Sequence, residues 1–455
     1  MAIPTTEMTE MFDKTCRTLV VGLGETGLSV ARFLSRQGVP VAIVDSREQP
    51  PGLERLRTEL PADVALFLGE FNADAFARAE QIVISPGVSM DEPEIAAAVA
   101  RQVPVTGDIE LFAQTVTAPV IAVTGSNGKS TVVTLLGAMA RRAALDVRVG
   151  GNIGTPALDL VEAQEPDLYV LELSSFQLET LHSLRARAAV VLNVSPDHMD
   201  RYQDLQAYAA VKQSVFRQAA LQVFNLDDPI VESLVYRAHP HVGFTRQPPG
   251  ANDYGLVEID GATWLARGES RLMPASGICM AGQHNLTNAL AALALGDAVG
   301  IPLDKMIDTL GEFQGLSHRM QYVTEKDGVR WFNDSKGTNV GATLAAIEGV
   351  DGKLVLIAGG DGKGADFTPL ADAMQRKGRG AILIGKDAAL LESVLQGVVP
   401  VRFADDMPQA VMLAAAMSQP GDTVLLSPAC ASTDMYRNFE MRGEAYIQAV
   451  REYLS

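Results

Sequence analysis

Short, almost wholly apolar runs recur along the chain, separated by longer stretches in which apolar residues return every three or four positions. Thr18-Leu-Val-Val-Gly-Leu-Gly24, Val41-Ala-Ile-Val-Asp45 and Gln81-Ile-Val-Ile-Ser85 open the series. Runs too short for a helix predict strands buried on both faces, and such strands alternating with amphipathic helices make βαβ units on a parallel sheet. A second series begins at Pro119-Val-Ile-Ala-Val-Thr-Gly125 and continues through Asp167-Leu-Tyr-Val-Leu-Glu-Leu173 and Ala188-Ala-Val-Val-Leu-Asn193. A third holds Lys353-Leu-Val-Leu-Ile-Ala358, Ala381-Ile-Leu-Ile-Gly385 and Asp422-Thr-Val-Leu-Leu-Ser427. Between about 222 and 282 the texture changes to short alternating segments with turn signals, among them Tyr254 to Gly261 and Ala262 to Ala266, which predict hairpins. A helical pair follows, around 283–299 and 302–313. The pattern predicts three α/β units, residues 1–108, 109–314 and 315–455.

Composition narrows the partners. The 455 residues are 47% hydrophobic and 20% charged, ordinary values for a globular chain with several cores. Lys and Arg number 37 against 55 Asp and Glu, and the net charge of −18 repels nucleic-acid backbones and anionic lipid headgroups. A small polyanion stays admissible, because a few cations and backbone N–H groups in a cleft outweigh a distant surface field. The three cysteines, Cys16, Cys279 and Cys430, are far apart, so neither a disulfide framework nor a thiolate zinc site is predicted, and a reducing cytoplasm is the expected compartment. Glu7, Glu10 and Asp13 precede any apolar run, unlike a signal peptide, and no window is apolar for the ~18 residues of a membrane span.

Two glycine-rich loops carry candidate chemistry. Gly22-Leu-Gly-Glu-Thr-Gly27 follows a predicted strand and opens a helix, the context in which backbone N–H groups at a helix N-terminus approach a diphosphate. Asp45 ends the next strand, 18 residues after Gly27, near where a ribose-binding carboxylate would sit. From these residues alone a nicotinamide cofactor, another nucleotide and a turn that only packs helix on strand all stay open. Thr124-Gly-Ser-Asn-Gly-Lys-Ser-Thr131 is sharper. In a P-loop the N–H groups of Gly125, Ser126, Asn127 and Gly128 would wrap phosphates, Lys129 neutralise their terminal charge and Ser130, beside Thr131, ligate Mg2+. The first glycine of the general pattern is Val123 here, so the loop is a variant. Glu172 falls inside an apolar strand, where a carboxylate needs a cation or hydrogen-bond partner, and a metal ion is predicted. The next strand ends in Asn193-Val-Ser-Pro-Asp-His-Met-Asp-Arg201, which brings Asp197, His198, Asp200 and Arg201 to the same sheet edge.

With Gly150-Gly-Asn-Ile-Gly154, Leu171-Glu-Leu-Ser-Ser-Phe-Gln-Leu178, Asp197-His-Met-Asp-Arg201, Gly282-Gln-His-Asn285, Ser317-His-Arg319, Asn333-Asp-Ser-Lys336, Gly359-Gly-Asp-Gly-Lys363 and Ser427-Pro-Ala-Cys-Ala-Ser432, the chain resembles the Mur ligases over essentially its whole length. These are the ATP-dependent amide-forming enzymes of peptidoglycan precursor synthesis. Within the family the resemblance lies with members that add D-glutamate to UDP-N-acetylmuramoyl-L-alanine. It implies a Rossmann-like UDP-binding domain at 1–108, a P-loop ATPase domain with a small β-rich portion at 109–314, and a Rossmann-like amino-acid domain at 315–455. It also implies a cytoplasmic monomer.

By the same resemblance Glu25, Thr26, Asp45, Ser46, Arg47 and the Ser85-Pro86-Gly87 turn would hold uridine and diphosphate, with Asn152 and Gln177 along the muramoyl-peptide arm. Lys129 would neutralise ATP phosphates, Ser130 and Glu172 bind one Mg2+, and His198 help bind a second together with a carbamylated Lys212. Asn285 and Asn288 would lie near adenine and phosphates, with Arg319 and Asp334 close by. Lys336 and Thr338 would face the reaction centre, and Lys363, Ser432 and Phe439 the incoming glutamate. Read without the family, Lys212 is a solvated helix lysine, Lys363 a turn lysine, and Asn285 and Asn288 are helix caps. Competing functions fit less of the chain. A nicotinamide oxidoreductase leaves Lys129, Glu172 and Lys363 without a task, a nucleotide-switched binding protein would release no phosphate in response to an amino acid, and folate-tail glutamate ligases lack a UDP-type first domain.

Overall fold

The computed structural model describes residues 18–454 apart from Asp63 and Ala281. Cys16 and the acidic N-terminal residues lie outside the described residues. The early apolar runs form a five-stranded parallel sheet in the order Ala65–Leu68, Val41–Asp45, Thr18–Val21, Gln81–Ile84, Val105–Gly107. Strand order reverses between Thr18–Val21 and Gln81–Ile84, so a crevice opens beyond their carboxyl ends. The glycine-rich loop leaves one of these strands and the Ser85-Pro86-Gly87 turn leaves the other.

The second series forms a nine-stranded sheet. Its order is Ser270–Pro274, Ala262–Arg267, Tyr254–Ile259, His241–Phe244, Gln222–Asn225, Ala188–Val191, Val120–Thr124, Leu168–Glu172, Val147–Gly151. The hairpins expected from about 222 begin only at Tyr254, where three strands pair antiparallel. Gln222–Asn225 and His241–Phe244 are parallel to their neighbours, because the connection between them carries the helix Pro229–Ser233 and is long enough for a crossover. The β-rich portion therefore continues the central sheet. The expected helical pair is Gln283–Ala298 and Leu303–Glu312.

The third sheet runs Gln321–Lys326, Val329–Asn333, Thr423–Leu426, Leu354–Gly359, Gly378–Ile384, Val401–Phe403, parallel except for its first pair. Val20, Leu23 and Leu34 of the first unit share one continuous apolar core with Ile109 and Phe112 of the helix Asp108–Thr115 and with Val120, Tyr169 and Phe216 of the second. Each fully buried side chain of this kind contributes roughly 1.5–3 kcal/mol, which joins the first two units as one body. The third unit keeps separate cores on the two faces of its own sheet, around Leu356 and around Trp331.

Candidate functional site

Three neighbouring parallel strands, Leu168–Glu172, Val120–Thr124 and Ala188–Val191, end side by side and deliver Glu172, the glycine-rich loop and the Asn193 segment to one sheet edge. Val123 is simply the penultimate, fully buried residue of its strand. The loop turns one step later, at Gly125 with φ +151°. Asn193 braces the loop, since its Oδ1 accepts from the Asn127 N–H at 2.8 Å and its Nδ2 donates to the Asn127 carbonyl at 3.0 Å. Lys129 opens the helix Lys129–Arg142 and folds its ammonium back to donate to the Gly125 and Ser126 carbonyls at 2.8 and 2.9 Å. Burial pushes its pKa down; Glu172 and Asp197 oppose this and Arg319 adds to it. The buried Glu172 finds polar partners, as its position in an apolar strand demands. Ser130 Oγ donates to its Oε2 at 2.6 Å and Asn152 Nδ2 to its Oε1 at 2.9 Å, while Arg319 Nη2 donates to Ser130 Oγ at 2.6 Å.

Lys212 is not a solvated helix lysine. It lies on the inner face of the helix Leu205–Gln213, 1% exposed, with its ammonium 3.0 Å from the Gly125 carbonyl and 4.4 Å from the centre of the Tyr208 ring. Burial, reinforced by Lys129, drives its pKa well below the usual lysine range against the pull of Asp197 and Glu172. His198 sits in the left-handed region at φ +58°, packed 4.7 Å from the Phe176 ring, with Nε2 3.8 Å from Asp197 Oδ2. Burial lowers its pKa, with Asp197 opposing and Lys363 of the third unit assisting, so the neutral imidazole is favoured. Arg201 turns away from this edge and donates to Glu179 at 2.6 Å and to the Val88 carbonyl of the first unit at 3.1 Å.

A cleft of about 480 Å³ separates the second and third units, lined by Asn127, Gly128 and Thr131 on one wall, Asn285 and Asn288 on another, and Arg319, Asp334 and Lys336 opposite. The helix Gln283–Ala298 is capped by Gly282, so Asn285 and Asn288 are not caps. Asn288 Nδ2 instead donates to Asn285 Oδ1 at 3.0 Å. Asp334 accepts from the Met320 N–H at 3.2 Å and the Ser427 hydroxyl at 2.7 Å, and burial pushes its pKa up to about 7. Lys336 lies 3.8 Å above the centre of the Phe439 ring; burial, then repulsion from Arg319, lowers its pKa to about 8.

The segments containing Lys336, Ser432 and Lys363 leave the strands Val329–Asn333, Thr423–Leu426 and Leu354–Gly359, which are adjacent and parallel, so all three emerge at one edge. Ser432 is buried, Thr338 half-buried, and Lys363 exposed at φ +51°. Arg442, on the helix Phe439–Leu454, binds these segments together from below. It donates to the Ser335 carbonyl at 2.8 Å, the Ser335 hydroxyl at 3.0 Å and the Cys430 carbonyl at 3.1 Å, and burial lowers its pKa to about 10.

At the crevice of the first sheet the buried Asp45 carboxylate accepts from the Leu23 N–H at 2.7 Å, and from the backbone, Nε and Nη2 of Arg47 at 2.9, 2.8 and 2.7 Å. Burial works to raise its pKa, but the guanidinium and the two N–H groups outweigh this and hold it below the usual carboxylate range. Ser85 Oγ donates to the Gly22 carbonyl at 2.9 Å. Thr26, Pro86 and the exposed Ser46 and Gly87 lie around the same crevice, while Glu25 points outward to Arg55 at 2.7 Å. Gln177 is buried: Oε1 accepts from the Ser174 N–H at 3.1 Å in a capping box, and Nε2 donates to Asp108 at 2.9 Å. Asn152, grouped with Gln177 by resemblance, touches Glu172. Asn193 and Arg442 are residues that the sequence reading does not single out. A polar residue directly after a buried strand was a usable signal for Asn193, whereas Arg442 sits in an ordinary amphipathic helix.

Comparison with known proteins identifies the family and the fold. Residues 16–107 match the profile of the Mur ligase MurD-like N-terminal domain, 123–296 the Mur ligase middle domain, and 318–430 the Mur ligase glutamate ligase domain. The chain is 56% identical over 440 residues to the UDP-N-acetylmuramoylalanine--D-glutamate ligase of Nitrosococcus oceani, covering 96% of this chain and 97% of the relative. It is 50% identical over 435 residues to the protein of that name in Pseudomonas putida, covering 95% and 96%. In fold it is similar to the MurF ligase of Thermotoga maritima in complex with ADP, at TM-score 0.62, 18% identity, and coverage of 100% of this chain and 97% of that one. It is likewise similar to the UDP-N-acetylmuramate-alanine ligase of the same organism, at TM-score 0.60, 19% identity, and coverage of 96% and 99%.

Proposed function

The chain belongs to the Mur ligase family, and we infer that it is the ATP-dependent ligase that adds D-glutamate to UDP-N-acetylmuramoyl-L-alanine in peptidoglycan precursor synthesis. The observation that carries this is identity of half or more over nearly the full length of relatives named for that product. ATP phosphorylates the alanine carboxylate, the glutamate amine attacks the acyl phosphate, and a tetrahedral adduct expels phosphate. Every reactant is anionic, so the work of the protein is to gather cations in a water-poor cleft. Lys129, Arg319 and Lys336 supply them around the loop N–H groups of residues 125 to 131, with Asn285, Asn288 and Asp334 lining the nucleotide cleft.

Ser130 and Glu172, a hydroxyl and a carboxylate at the mouth of the loop, suit Mg2+, which takes one or two protein oxygens beside phosphates and waters. A second Mg2+ would be held by the neutral His198 imidazole and by Lys212 as a carbamate. The Lys212 amine is driven toward its neutral form, the form that captures CO2, and capture replaces an N–H donor with an anionic oxygen. When bound, the metal neutralises phosphate charge and orients the carboxylate against it. Thr338, Lys363, Ser432 and Phe439 receive glutamate at the third sheet's edge. The crevice of the first sheet, with Glu25, Thr26, Asp45, Ser46, Arg47 and the 85–87 turn, receives the uridine diphosphate, and Asn152 and Gln177 border its arm. Gln177 serves by rigidity, since both ends of its amide are engaged. We set the domain limits near 108 and 314 and the compartment as the cytoplasm, with the protein a monomer.

The deciding experiment is phosphate release from ATP with UDP-N-acetylmuramoyl-L-alanine and D-glutamate, L-glutamate or meso-diaminopimelate in parallel. Release with D-glutamate alone is expected. Release only with one of the other two would sink the assignment.

A further inference from the structure

We propose that Asn339 is a positioning residue whose side-chain amide fixes how the third domain seats on the phosphate loop and the Asp197-His198 segment, so that its loss slows turnover without weakening the hold on the UDP substrate. This rests on the ligase function inferred above. Asn339 caps the third-domain helix Val340–Glu348, its Oδ1 accepting from the Ala342 N–H at 2.8 Å. The same amide faces the central domain. Asn127 Nδ2 donates to its Oδ1 at 3.3 Å, and its Nδ2 donates to Asn127 Oδ1 at 3.2 Å and to Asp197 Oδ2 at 3.1 Å.

Asn127 belongs to the phosphate loop, and Asp197 Oδ2 is the oxygen that faces His198 Nε2. One side chain, 7% exposed, thus touches the two central-domain segments on which the chemistry depends. The backbone beside it is shaped for the same contact. A Cβ on Gly341 would stand 2.7 Å from Ser195 Oγ, so the first turn of the helix seats against the Ser195 segment because residue 341 is glycine. Ser195 is itself tied to the loop, its N–H donating to Ser126 Oγ at 3.0 Å. Lys336, which lines the cleft, precedes Asn339 by three residues, so the docking that engages the latch also carries Lys336 to the cleft. A hydrogen bond inside such a seam has directional value because water is excluded from it.

Two variants test the latch by different routes. Asn339→Ser keeps an oxygen to cap Ala342 while withdrawing the amide, and Gly341→Ala wedges the seam with Asn339 left in place. In both, kcat is expected to fall at least tenfold, while the KM for the UDP substrate, which binds the first two domains, stays within twofold. Small-angle scattering with an ATP analogue and the UDP substrate is expected to show the wild type compact and both variants extended. Turnover of Asn339→Ser within twofold of wild type, a loss confined to the KM for the UDP substrate, or full compaction of both variants would overturn the proposal. A wild type that ligates no D-glutamate would overturn the ligase function instead, and the scattering comparison would still decide the latch.

Discussion

At the scale of single residues, the site is a cluster of cations held in a place where charge is costly. Lys129, Lys212, Arg319 and Lys336 all have pKa values lowered by burial, with repulsion from Arg319 adding to it at Lys129 and Lys336 and repulsion from Lys129 adding to it at Lys212 and Lys336. Anionic ligands relieve that cost, so binding and charge recovery are coupled. Lys129→Ala is expected to reduce phosphate release below detection while the UDP substrate still binds, which equilibrium titration would check. Lys212→Ala is expected to be inactive and to recover part of its rate when a short-chain carboxylate is supplied; wild-type rates without the supplement would refute the carbamate. Lys336, at about 8, is charged below that pH and neutral above it. The kcat for phosphate release should therefore fall from pH 7 to 9.5, and Lys336→Arg should flatten the fall. Unfolding is separable from this effect. The unfolded chain holds the Lys336 proton up to about 10.5, so this group makes folding more favourable as pH rises between about 8 and 10.5.

At the scale of elements, strand order does most of the assembly. The buried runs were legible because a run of four or five apolar residues bounded by turn signals has few other uses. The phosphate loop was legible because its spacing is tied to one backbone conformation. The parallel sense of Gln222–Asn225 and His241–Phe244 was not, since hydrophobic alternation says nothing of strand direction. Lys212 was misread on its own for a related reason. Its helix is only weakly amphipathic, and burial of the inner face depends on what the sheet edge brings against it. The first glycine-rich loop offers an element-level test. A Cβ at Gly27 would lie 1.9 Å from the Gly22 carbonyl oxygen, so Gly27→Ala must push the helix Glu25–Arg36 off its strand, at a cost of about 1–3 kcal/mol. A lower melting temperature and a raised KM for the UDP substrate, with the KM for ATP unchanged, are the expected results; an unchanged KM for the UDP substrate would remove the diphosphate from this crevice.

At the scale of the molecule, the −18 net charge and the anionic substrates are reconciled by geometry, because Arg319 and Lys336 line the cleft whose wall is the loop that receives the Lys129 and Lys212 ammonium groups. The first two units share an apolar core and the third has its own, so separating the third exposes less apolar core than separating the first two would. Limited proteolysis without ligands should accordingly cut near residue 314 before it cuts near 108, and the reverse order would argue against that division. The sequence by itself determined the α/β class, the nucleotide loop and the family, because these depend on short-range periodicity and on motifs whose residues are contiguous. Only the tertiary structure decided that Asn193 braces the glycine-rich loop, that Asn339 meets Asn127 and Asp197, that Arg442 joins the segments of Ser335 and Cys430, that Lys212 is buried, and that Asn285 and Asn288 face a cleft. Each of those facts depends on which strands lie side by side and which domain docks on which edge, contacts between residues up to some two hundred positions apart that leave no local trace in the chain.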